Sequence, residues 1–256
     1  MTSTSASPSP PHIILVPGHW LGAWAWDEVL EHLTTPGFHA TAMTLPGLDR
    51  RDLDRTDRTL SEQADAIQAA VIQTGGDVVL VGHSGANGPV SIAMDRHPEL
   101  IRRVVWVDSG PMSDGTAFAP DLPPSVMELP LPDFEMLRQQ ASLEGLSSEH
   151  LARFRARAVP EPAAVARGTV TLTNDARRET PTTLICCSIP SRQILELARS
   201  GDPMFAEVAQ LTHVDTVDLP TGHWPMWSRP KELAEMIHAA AHHLSNIHIK
   251  RCRRRI

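Results

Sequence analysis

Short, nearly continuous apolar runs recur along the chain and alternate with longer segments of helical period. Runs rich in β-branched residues are typical of strands that are buried on both faces of a sheet. The pattern predicts six strands, at residues 12–16, 38–44, 78–82, 104–108, 182–188 and 214–219. Because helical segments separate many of these strands, we expect right-handed strand–helix–strand units. The predicted fold class is therefore α/β, with a mostly parallel sheet and helices on both faces.

Two helical segments carry the clearest signals. Apolar side chains at positions 60, 64, 67 and 71 keep a spacing of three or four, and Thr59 with Glu62 forms a capping-box pattern in front of them. The same spacing recurs over residues 233–244, after the last predicted strand. We expect a helix at each of these places.

The stretch between the fourth and fifth predicted strands breaks the alternation. Residues 111–180 are rich in proline, show no good strand, and carry helical patterns over 134–142 and 148–158. A stretch of this length between two strands is not a plain loop. We predict a helical cap insertion over one edge of the sheet, and a core formed by residues 12–110 and 181–246.

The composition is that of one ordinary globular domain. The chain has 256 residues, of which 41% are hydrophobic and 21% charged, and its net charge is −7. A negative chain is a poor partner for nucleic acid, so none is expected. The one basic cluster falls in residues 247–256 and predicts a solvated tail, while the Ser/Pro-rich residues 1–11 predict a disordered leader.

The cysteine content and the lengths of the apolar segments indicate the cellular compartment. Its three cysteines form no CxxC spacing and no disulfide framework, which favours a reducing, cytoplasmic setting. No segment approaches the ~18 apolar residues of a membrane span, so no membrane partner is expected. The expected partner is a small molecule. A homodimer is compatible with these features, and the oligomeric state stays open.

The segment VVLVGHSGAN combines a buried strand, a sharp turn and a helix. Ser84 stands at the apex of the turn, where Gly82 and Gly85 relieve the crowding. Such a turn exposes the serine hydroxyl at the carboxyl end of the sheet, where ligands bind in open α/β folds. Ala86 takes the fifth position of the G-x-S-x-G pattern, and a small residue there still allows close helix–strand approach. Ser84 is the predicted nucleophile, and an N-capping serine in a plain turn is the alternative.

A serine needs a neighbouring base to become a good nucleophile. Of thirteen histidines, His223 is the best placed, because it follows the last predicted strand on a loop that leads to the final helix. That loop lies at the same edge of the sheet as Ser84. His83 adjoins the serine but is expected to point away and to be structural. Three further histidines near the end of the chain are expected to face solvent and to bind no metal: His238, His242 and His243.

Three separated motifs, in this order, resemble those of the α/β-hydrolases over residues 12–245. Besides the serine turn, GHWLGAWAW follows the pattern G-x-x-x-G-A-W-x-W, and GHWPMWSRPKEL follows H-x-x-x-x-S-x-P-x-x-L. The branch that the chain resembles contains small esterases and hydroxynitrile lyases. The resemblance implies an oxyanion hole formed by the backbone N–H groups of His19 and Gly85.

Three of the six tryptophans lie in the opening motif. Trp24 and Trp26 are expected to pack in the core, whereas Trp20 is expected to form a wall of the substrate pocket and the side chain of His19 to line it. The other residues expected to line this apolar pocket are Phe118, Phe134, Trp224, Met226 and Trp227.

The acid of the predicted triad has more than one candidate position. The family most often places it after the strand that here reads TTLICCSIPSRQ, where no Asp or Glu occurs until Glu196. Asp108 instead ends the strand that follows the nucleophile helix, and an acid there would hold the tautomer of His223. Asp108 is therefore the predicted acid, with a capping role as its alternative. Asp202 is the reserve candidate, followed by Glu196.

These residues predict a serine hydrolase that cleaves a small carboxylic ester, thioester or lactone through an acyl-enzyme, with no metal and no organic cofactor. A hydroxynitrile lyase is the first alternative, but those lyases place a lysine directly after the catalytic histidine, where this chain has Trp224. The second alternative is a catalytically slow receptor on the same fold, which binds a small ligand and then a partner.

Overall fold

The computed structural model describes residues 11–33 and 39–242. The expected basic tail lies outside the described residues, and so does the expected leader apart from residue 11. The first residue of the second predicted strand and the last two of the final predicted helix, residues 243 and 244, also lie outside them.

Strands and helices alternate through most of the described chain. The strands are β1 (His12–Val16), β2 (His39–Ala42), β3 (Val78–His83), β4 (Ile101–Val107), β5 (Glu128–Leu129), β6 (Glu161–Pro162), β7 (Thr182–Cys186) and β8 (Val214–Asp218). The α-helices are α1 (Asp27–Leu33), α2 (Leu60–Gln73), α3 (Asn87–Arg96), α4 (Phe134–Gln140), α5 (Ser148–Arg157), α6 (Ala163–Arg167), α7 (Ser191–Ser200), α8 (Pro225–Ser228) and α9 (Pro230–His242). Within the described residues, none of the helices is both long enough and apolar enough to cross a membrane.

The central sheet has six strands in the order β2-β1-β3-β4-β7-β8, and every neighbouring pair is parallel. Side chains of the inner strands alternate between two cores, as the period of a strand requires. Ile13 and Val79 pack with α1, α8 and α9 on one face, and Ile14 and Leu80 pack with α2, α3 and α7 on the other. The predicted α/β fold class is therefore confirmed, and all carboxyl strand ends lie at one edge of the sheet.

The fourth strand begins at Ile101, three residues earlier than predicted. Two arginines interrupt the apolar run on which the prediction relied. Arg102 pairs with Asp77 at the surface, whereas the buried Arg103 reaches across the sheet to Asp215 at 2.9 Å. Strand pairing therefore continues through residues that are polar but partnered.

Residues 111–180 form a layer of short elements between β4 and β7. Helices α4 and α5 lie where the helical patterns predicted them, whereas the antiparallel ladder of β5 with β6 was not predicted, because two-residue strands carry no alternation. The indole N–H of Trp20 donates to the carbonyl oxygen of Leu129 at 2.9 Å, and the N–H of His223 donates to that of Ser142 at 2.8 Å. This layer is thus tied to the loop after β1 and to the loop after β8.

A buried ion network fastens the end of α3 to the turn that precedes β7. The guanidinium of Arg177 lies 2.9 Å from Oε1 of Glu207 and 3.3 Å from Oδ1 of Asp95. All three side chains are at most 7% exposed. Because a buried carboxylate is costly without a partner, Arg177 compensates two charges at once.

Replacing Arg177 is expected to destabilise the fold strongly. Arg177→Ala leaves the buried carboxylate of Asp95 without its cation and removes one of the two guanidinium partners of Glu207, which keeps Arg178 at 2.9 Å. We expect the free energy of unfolding in urea at pH 7 to fall by about 3–5 kcal/mol. Arg192→Ala is the matched control, because Arg192 is 88% exposed and pairs with Glu196 on the surface of α7; its loss should stay within about 0.5 kcal/mol. Equal losses in the two variants would contradict this interpretation of the network.

Candidate active site

Three side chains from three strand ends meet at the carboxyl edge of the sheet. Ser84 follows β3, Asp108 follows β4, and His223 lies on the loop after β8. The hydroxyl of Ser84 donates to Nε2 of His223 at 2.7 Å, and Nδ1–H of His223 donates to Oδ2 of Asp108 at 2.6 Å. The side chain of His223 is 17% exposed and that of Asp108 only 4%. The structure thus brings together the residues predicted as nucleophile, base and acid, in a chain of hydrogen bonds that runs from the surface inward.

Ser84 and Asp108, the two ends of this series of hydrogen bonds, both have backbone conformations in the left-handed region, which residues other than glycine rarely adopt. The φ angle is 51° at Ser84 and 45° at Asp108. Such a conformation costs about 1–3 kcal/mol and persists where the surrounding structure enforces it. Strain at Ser84 was expected from the strand–turn–helix motif, whereas nothing in the sequence indicated it at Asp108.

The carboxylate of Asp108 is held by the turn after β7. The N–H groups of Cys187 and Ser188 donate to Oδ1 at 3.0 and 2.8 Å, and the hydroxyl of Ser188 donates to Oδ2 at 2.6 Å. Burial alone would raise the pKa of Asp108, but the hydrogen bond and charge of His223, together with the bonds from Ser188, lower that pKa below its ordinary value. Asp108 is therefore held as the carboxylate. The same bonds end β7 at Cys186, two residues before its predicted end.

Ser188 is a site residue that the sequence analysis missed. It occupies the turn where the family most often places the acid, and here it donates to the acid instead. Its partner Asp108 is 80 positions away along the chain. Only the pairing of β4 with β7 makes them neighbours.

The two reserve acids lie in other surroundings. Asp202 accepts a backbone N–H two residues further on, in the turn after α7, and Glu196 pairs with Arg192 at 2.9 Å on that helix. Nδ1–H of His223 already donates to Asp108. The ring therefore has no need of Asp202 or Glu196 as an acceptor.

His83 lies behind the serine turn and is 1% exposed. Its Nε2–H donates to the carbonyl oxygen of His223 at 2.7 Å, which fixes the loop that carries that ring. Burial, aided by the neighbouring ring of His223, lowers the pKa of His83 to about 3. His83 is therefore neutral in the folded protein and has a structural contact, as the sequence suggested.

The loop after β1 packs directly against the serine turn. A Cβ on Gly18 would lie 2.9 Å from Cβ of Ser84, and a Cβ on Gly85 would lie 2.2 Å from the ring of His19. Only glycine allows such close approach at both positions. A Cβ on Gly18 would also lie 3.1 Å from the backbone N of Gly85. Gly18 directly precedes His19, and the N–H groups of His19 and Gly85 are the two that are expected to form the oxyanion hole.

A cavity of about 1160 Å³ opens beside Ser84 and His223. Trp20, Phe118 and Trp224 lie in its walls, as the sequence predicted, together with the side chain of His19. The cavity also has apolar walls that the sequence analysis did not name, from Met112, Leu137, Leu143, Ile189, Met204 and Phe205. A concave site of this size with a few convergent polar groups suits a small organic ligand.

Three predicted pocket residues do not line this cavity, so the prediction for them is wrong. Phe134 packs on Phe154, with ring centroids 6.0 Å apart. Met226 is fully buried and Trp227 is 2% exposed, because α8 turns them towards the core shared with α1 and α9. The indole N–H of Trp227 donates to a backbone carbonyl at 3.1 Å and its ring stacks on Trp24.

Other groups with reactive potential lie apart from this chemistry. Burial raises the pKa of Cys186 to about 12 and also raises that of Cys187, so neither thiol is a ready nucleophile. Among the described residues, no three His, Cys, Asp or Glu side chains could hold a metal ion together. On α9, Nε2 of the exposed His242 lies 3.2 Å from Nε2 of His238, which is half-buried; His243 lies outside the described residues.

Comparison with known proteins identifies the family. The model of the alpha/beta hydrolase family matches residues 13–236, and the resemblance found in the sequence motifs is confirmed. A solved extracellular alpha/beta-hydrolase from a Paenibacillus species superposes with a TM-score of 0.71 at 20% identity, over 91% of this chain and 99% of that chain. At that identity the likeness concerns the fold.

Sequence relatives point to hydrolases and esterases. The chain is 27% identical to Probable hydrolase R7 from Phoma sp. over 248 residues, which is 89% of this chain and 96% of that protein. It is 36% identical to Methylesterase 8 from Arabidopsis thaliana, over 43% of this chain and 39% of the relative. It is 34% identical to polyneuridine aldehyde esterase from Rauvolfia serpentina, over 43% and 42%. The matches with the two plant enzymes thus span less than half of either chain.

The buried His83 predicts a pH dependence of stability. Its pKa is about 3 when folded and 6.5 when free, so the unfolded chain takes up a proton at a higher pH than the folded chain does. Stability from this residue is complete above pH 6.5 and is lost as the pH falls towards 3, by about 2 kcal/mol at pH 5. Urea unfolding of the wild type and of His83→Gln, from pH 5 to pH 8, measures this. The variant should be less stable at pH 8 but lose less stability on acidification, and parallel curves would contradict the assignment.

Proposed function

The chain belongs to the alpha/beta hydrolase family, and from that premise we propose that it is a serine hydrolase that cleaves a small carboxylic ester, thioester or lactone. The observation that carries the proposal is the chain of hydrogen bonds from Ser84 through His223 to Asp108, with distances of 2.7 and 2.6 Å, beside the cavity. Nucleophile, base and orienting acid in hydrogen-bond reach of one another are the parts that acyl transfer requires.

The first step forms a bond between Ser84 and the substrate. As Oγ of Ser84 attacks the carbonyl carbon, its proton passes to Nε2 of His223. The carboxylate of Asp108 holds the ring in the required tautomer and stabilises the imidazolium. The negative charge that develops on the carbonyl oxygen is bound by the N–H groups of His19 and Gly85, and losing one such donor typically costs about 3–4 kcal/mol.

The second step releases both products. The imidazolium of His223 gives its proton to the leaving alcohol, thiol or ring oxygen, and the acyl group stays on Ser84. Water then attacks the acyl-enzyme while His223 takes a proton from it. The imidazolium returns that proton to Oγ of Ser84 as the bond between Oγ and the acyl carbon breaks, which releases the acid and restores the serine. Every proton moves between Ser84, the substrate, water and this one histidine, so the cycle closes without a further reactant.

The relatives support the same class of reaction. They are named as a probable hydrolase, a methylesterase and polyneuridine aldehyde esterase. The cavity supports a substrate with a sizeable apolar part, because Trp20, Phe118 and Trp224 line the cavity that also contains Ser84. We therefore place the substrate among small organic esters.

The two alternatives find less support in the site. A hydroxynitrile lyase of the resembling kind would carry a lysine after the histidine, whereas Trp224 is 2% exposed and stands edge-on to the ring of His223. The slow-receptor hypothesis drew on the missing acid after β7. Asp108, at the end of the neighbouring strand, accepts a hydrogen bond from His223, and this contact supports a complete triad over a degenerate site.

Removing the nucleophile or the base should abolish turnover. We expect Ser84→Ala and His223→Ala each to lower kcat for 4-nitrophenyl butyrate by at least about 10⁴-fold, and the double variant to be barely worse, because the two residues act as one unit. A fluorophosphonate should label Ser84 alone in the wild type, as peptide mass spectrometry would reveal. Additive losses, or a label elsewhere, would count against the assignment.

The acid can be tested by one matched pair of variants. Asp108→Asn should keep the fold but lose about 10³–10⁴-fold in kcat, because the amide favours the wrong tautomer of His223. Asp202→Asn should be close to neutral, since Asp202 only accepts a backbone N–H in a turn. Steady-state kinetics on both variants decides the matter. If Asp202→Asn were crippled and Asp108→Asn near wild type, the acid would be misassigned.

A further inference from the structure

The turn after β7 holds two carboxylates by the same kind of contact. The N–H of Ser188 donates to Oδ1 of Asp108 at 2.8 Å, and its hydroxyl donates to Oδ2 at 2.6 Å. Three residues further on, the N–H of Ser191 donates to Oδ1 of Asp218 at 2.7 Å, and its hydroxyl donates to Oδ2 at 2.8 Å. The turn is therefore fastened to the ends of both strands that pair with β7, and the first of these contacts reaches the triad.

One oxygen of Asp108 accepts two side-chain hydrogen bonds of equal length. Nδ1–H of His223 and the hydroxyl of Ser188 both donate to Oδ2 at 2.6 Å. Oδ1 is held separately by the N–H groups of Cys187 and Ser188. A carboxylate has about four acceptor sites, and these donors fill them. Because two backbone N–H groups hold Oδ1, the carboxylate keeps its place without the serine hydroxyl.

The hydroxyl of Ser188 and the ring of His223 share one negative charge. A hydrogen bond donated to a carboxylate stabilises the charged form and weakens its attraction for any other proton. The effect is strong at this place, because the side chain of Asp108 is only 4% exposed and water screens it little. Oδ2 therefore stabilises a charged ring of His223 less than it would without the serine hydroxyl.

We propose that Ser188 is a positioning residue whose hydroxyl weakens the attraction of Asp108 for the proton of His223 and so extends turnover to lower pH. His223 takes the proton of Ser84 only as the neutral ring. A carboxylate that favours the imidazolium less leaves the ring neutral in more acidic solution. This inference rests on the proposed function and deepens it, because it names the residue that sets the acid limit of the reaction.

Other titratable groups around His223 form a constant background for this effect. The ring centroid of His83 lies 5.0 Å from that of His223, and burial lowers the pKa of His83 to about 3, so this neighbour is neutral. The remaining ionisable side chains of the cavity wall are those of His19, Arg138 and Glu144. In the part of the chain that the structure describes, none of these side chains bonds to Ser188, so a substitution there leaves them in place.

The test is the pH profile of ester hydrolysis. We measure kcat/KM for 4-nitrophenyl butyrate from pH 5 to pH 9 in the wild type and in Ser188→Ala. The acidic limb of the variant should lie about 0.5–1 pH unit above that of the wild type, since one hydrogen bond to an ionised group is lost. The plateau at high pH should change little, because the backbone still holds Oδ1 of Asp108. An unmoved limb, or one displaced to lower pH, would overturn the proposal.

Matched variants assign the shift to the hydroxyl on Asp108. Ser188→Thr keeps the hydroxyl, and its limb should coincide with that of the wild type. Ser191→Ala removes the corresponding hydroxyl from Asp218 and should also leave the limb in place. Equal shifts in Ser191→Ala and Ser188→Ala would overturn the proposal, because the turn as a whole would then be responsible. Should Ser188→Ala fail to fold, Ser188→Cys takes its place: a thiol is a weaker donor, so its limb should move in the same direction by less.

A titration followed by NMR separates this inference from the proposed function. The ring signals of His223, assigned by their loss in His223→Gln, are followed from pH 4 to pH 9 in the wild type and in Ser188→Ala, and the measurement needs no turnover. We expect the midpoint of the titration to lie at a higher pH in the variant. If the wild type hydrolysed no ester, the proposed function would fail while these midpoints still decided the role of Ser188. Coincident midpoints in the two proteins would overturn the inference on their own.

Discussion

The carboxylate of Asp108 is the point on which the site depends. Its two oxygens accept two backbone N–H groups and a hydroxyl from the turn after β7, and the ring of His223 from the loop after β8. One side chain at the end of β4 therefore fixes the ends of two further strands. Since an ionised carboxylate in a buried place is tolerated only when its acceptor sites are filled, the same bonds stabilise the fold and hold the charge that His223 requires.

The parallel sheet brings these three side chains together and enforces the strained backbone of two of them. All strands end at one edge, so Ser84, Asp108 and His223 meet although 139 residues separate the first from the last. Ser84 and Asp108 both adopt positive φ angles, and each follows a strand that is buried in both cores of the sheet. The rigid strands define where these turns stand, and the loop after β1 packs against the serine turn at Gly18.

The sequence predicts those features that a short continuous stretch of residues determines, and it does not predict contacts between residues that lie far apart in the chain. The strands were visible as apolar runs, and Ser84 was visible because its turn is a continuous motif. His223 and Asp108 required only the rule that parallel strands end together. Ser188 could not be found in this way, because its contact to Asp108 spans 80 positions of the chain. Met226 and Trp227 were misplaced because proximity in sequence to His223 does not tell towards which side of α8 a side chain points.

During synthesis α1 emerges almost 200 residues before α9, the helix on which it packs. At about 5–20 residues per second, the apolar face of α1 is without its cover for on the order of 10–40 s. Val29 and Leu33, which are buried in the finished protein, are exposed on the nascent chain throughout that interval. A ribosome that stalls, or a reading frame that stops, anywhere before residue 230 releases a chain with that face open, and such a product is a natural client for chaperones and proteases.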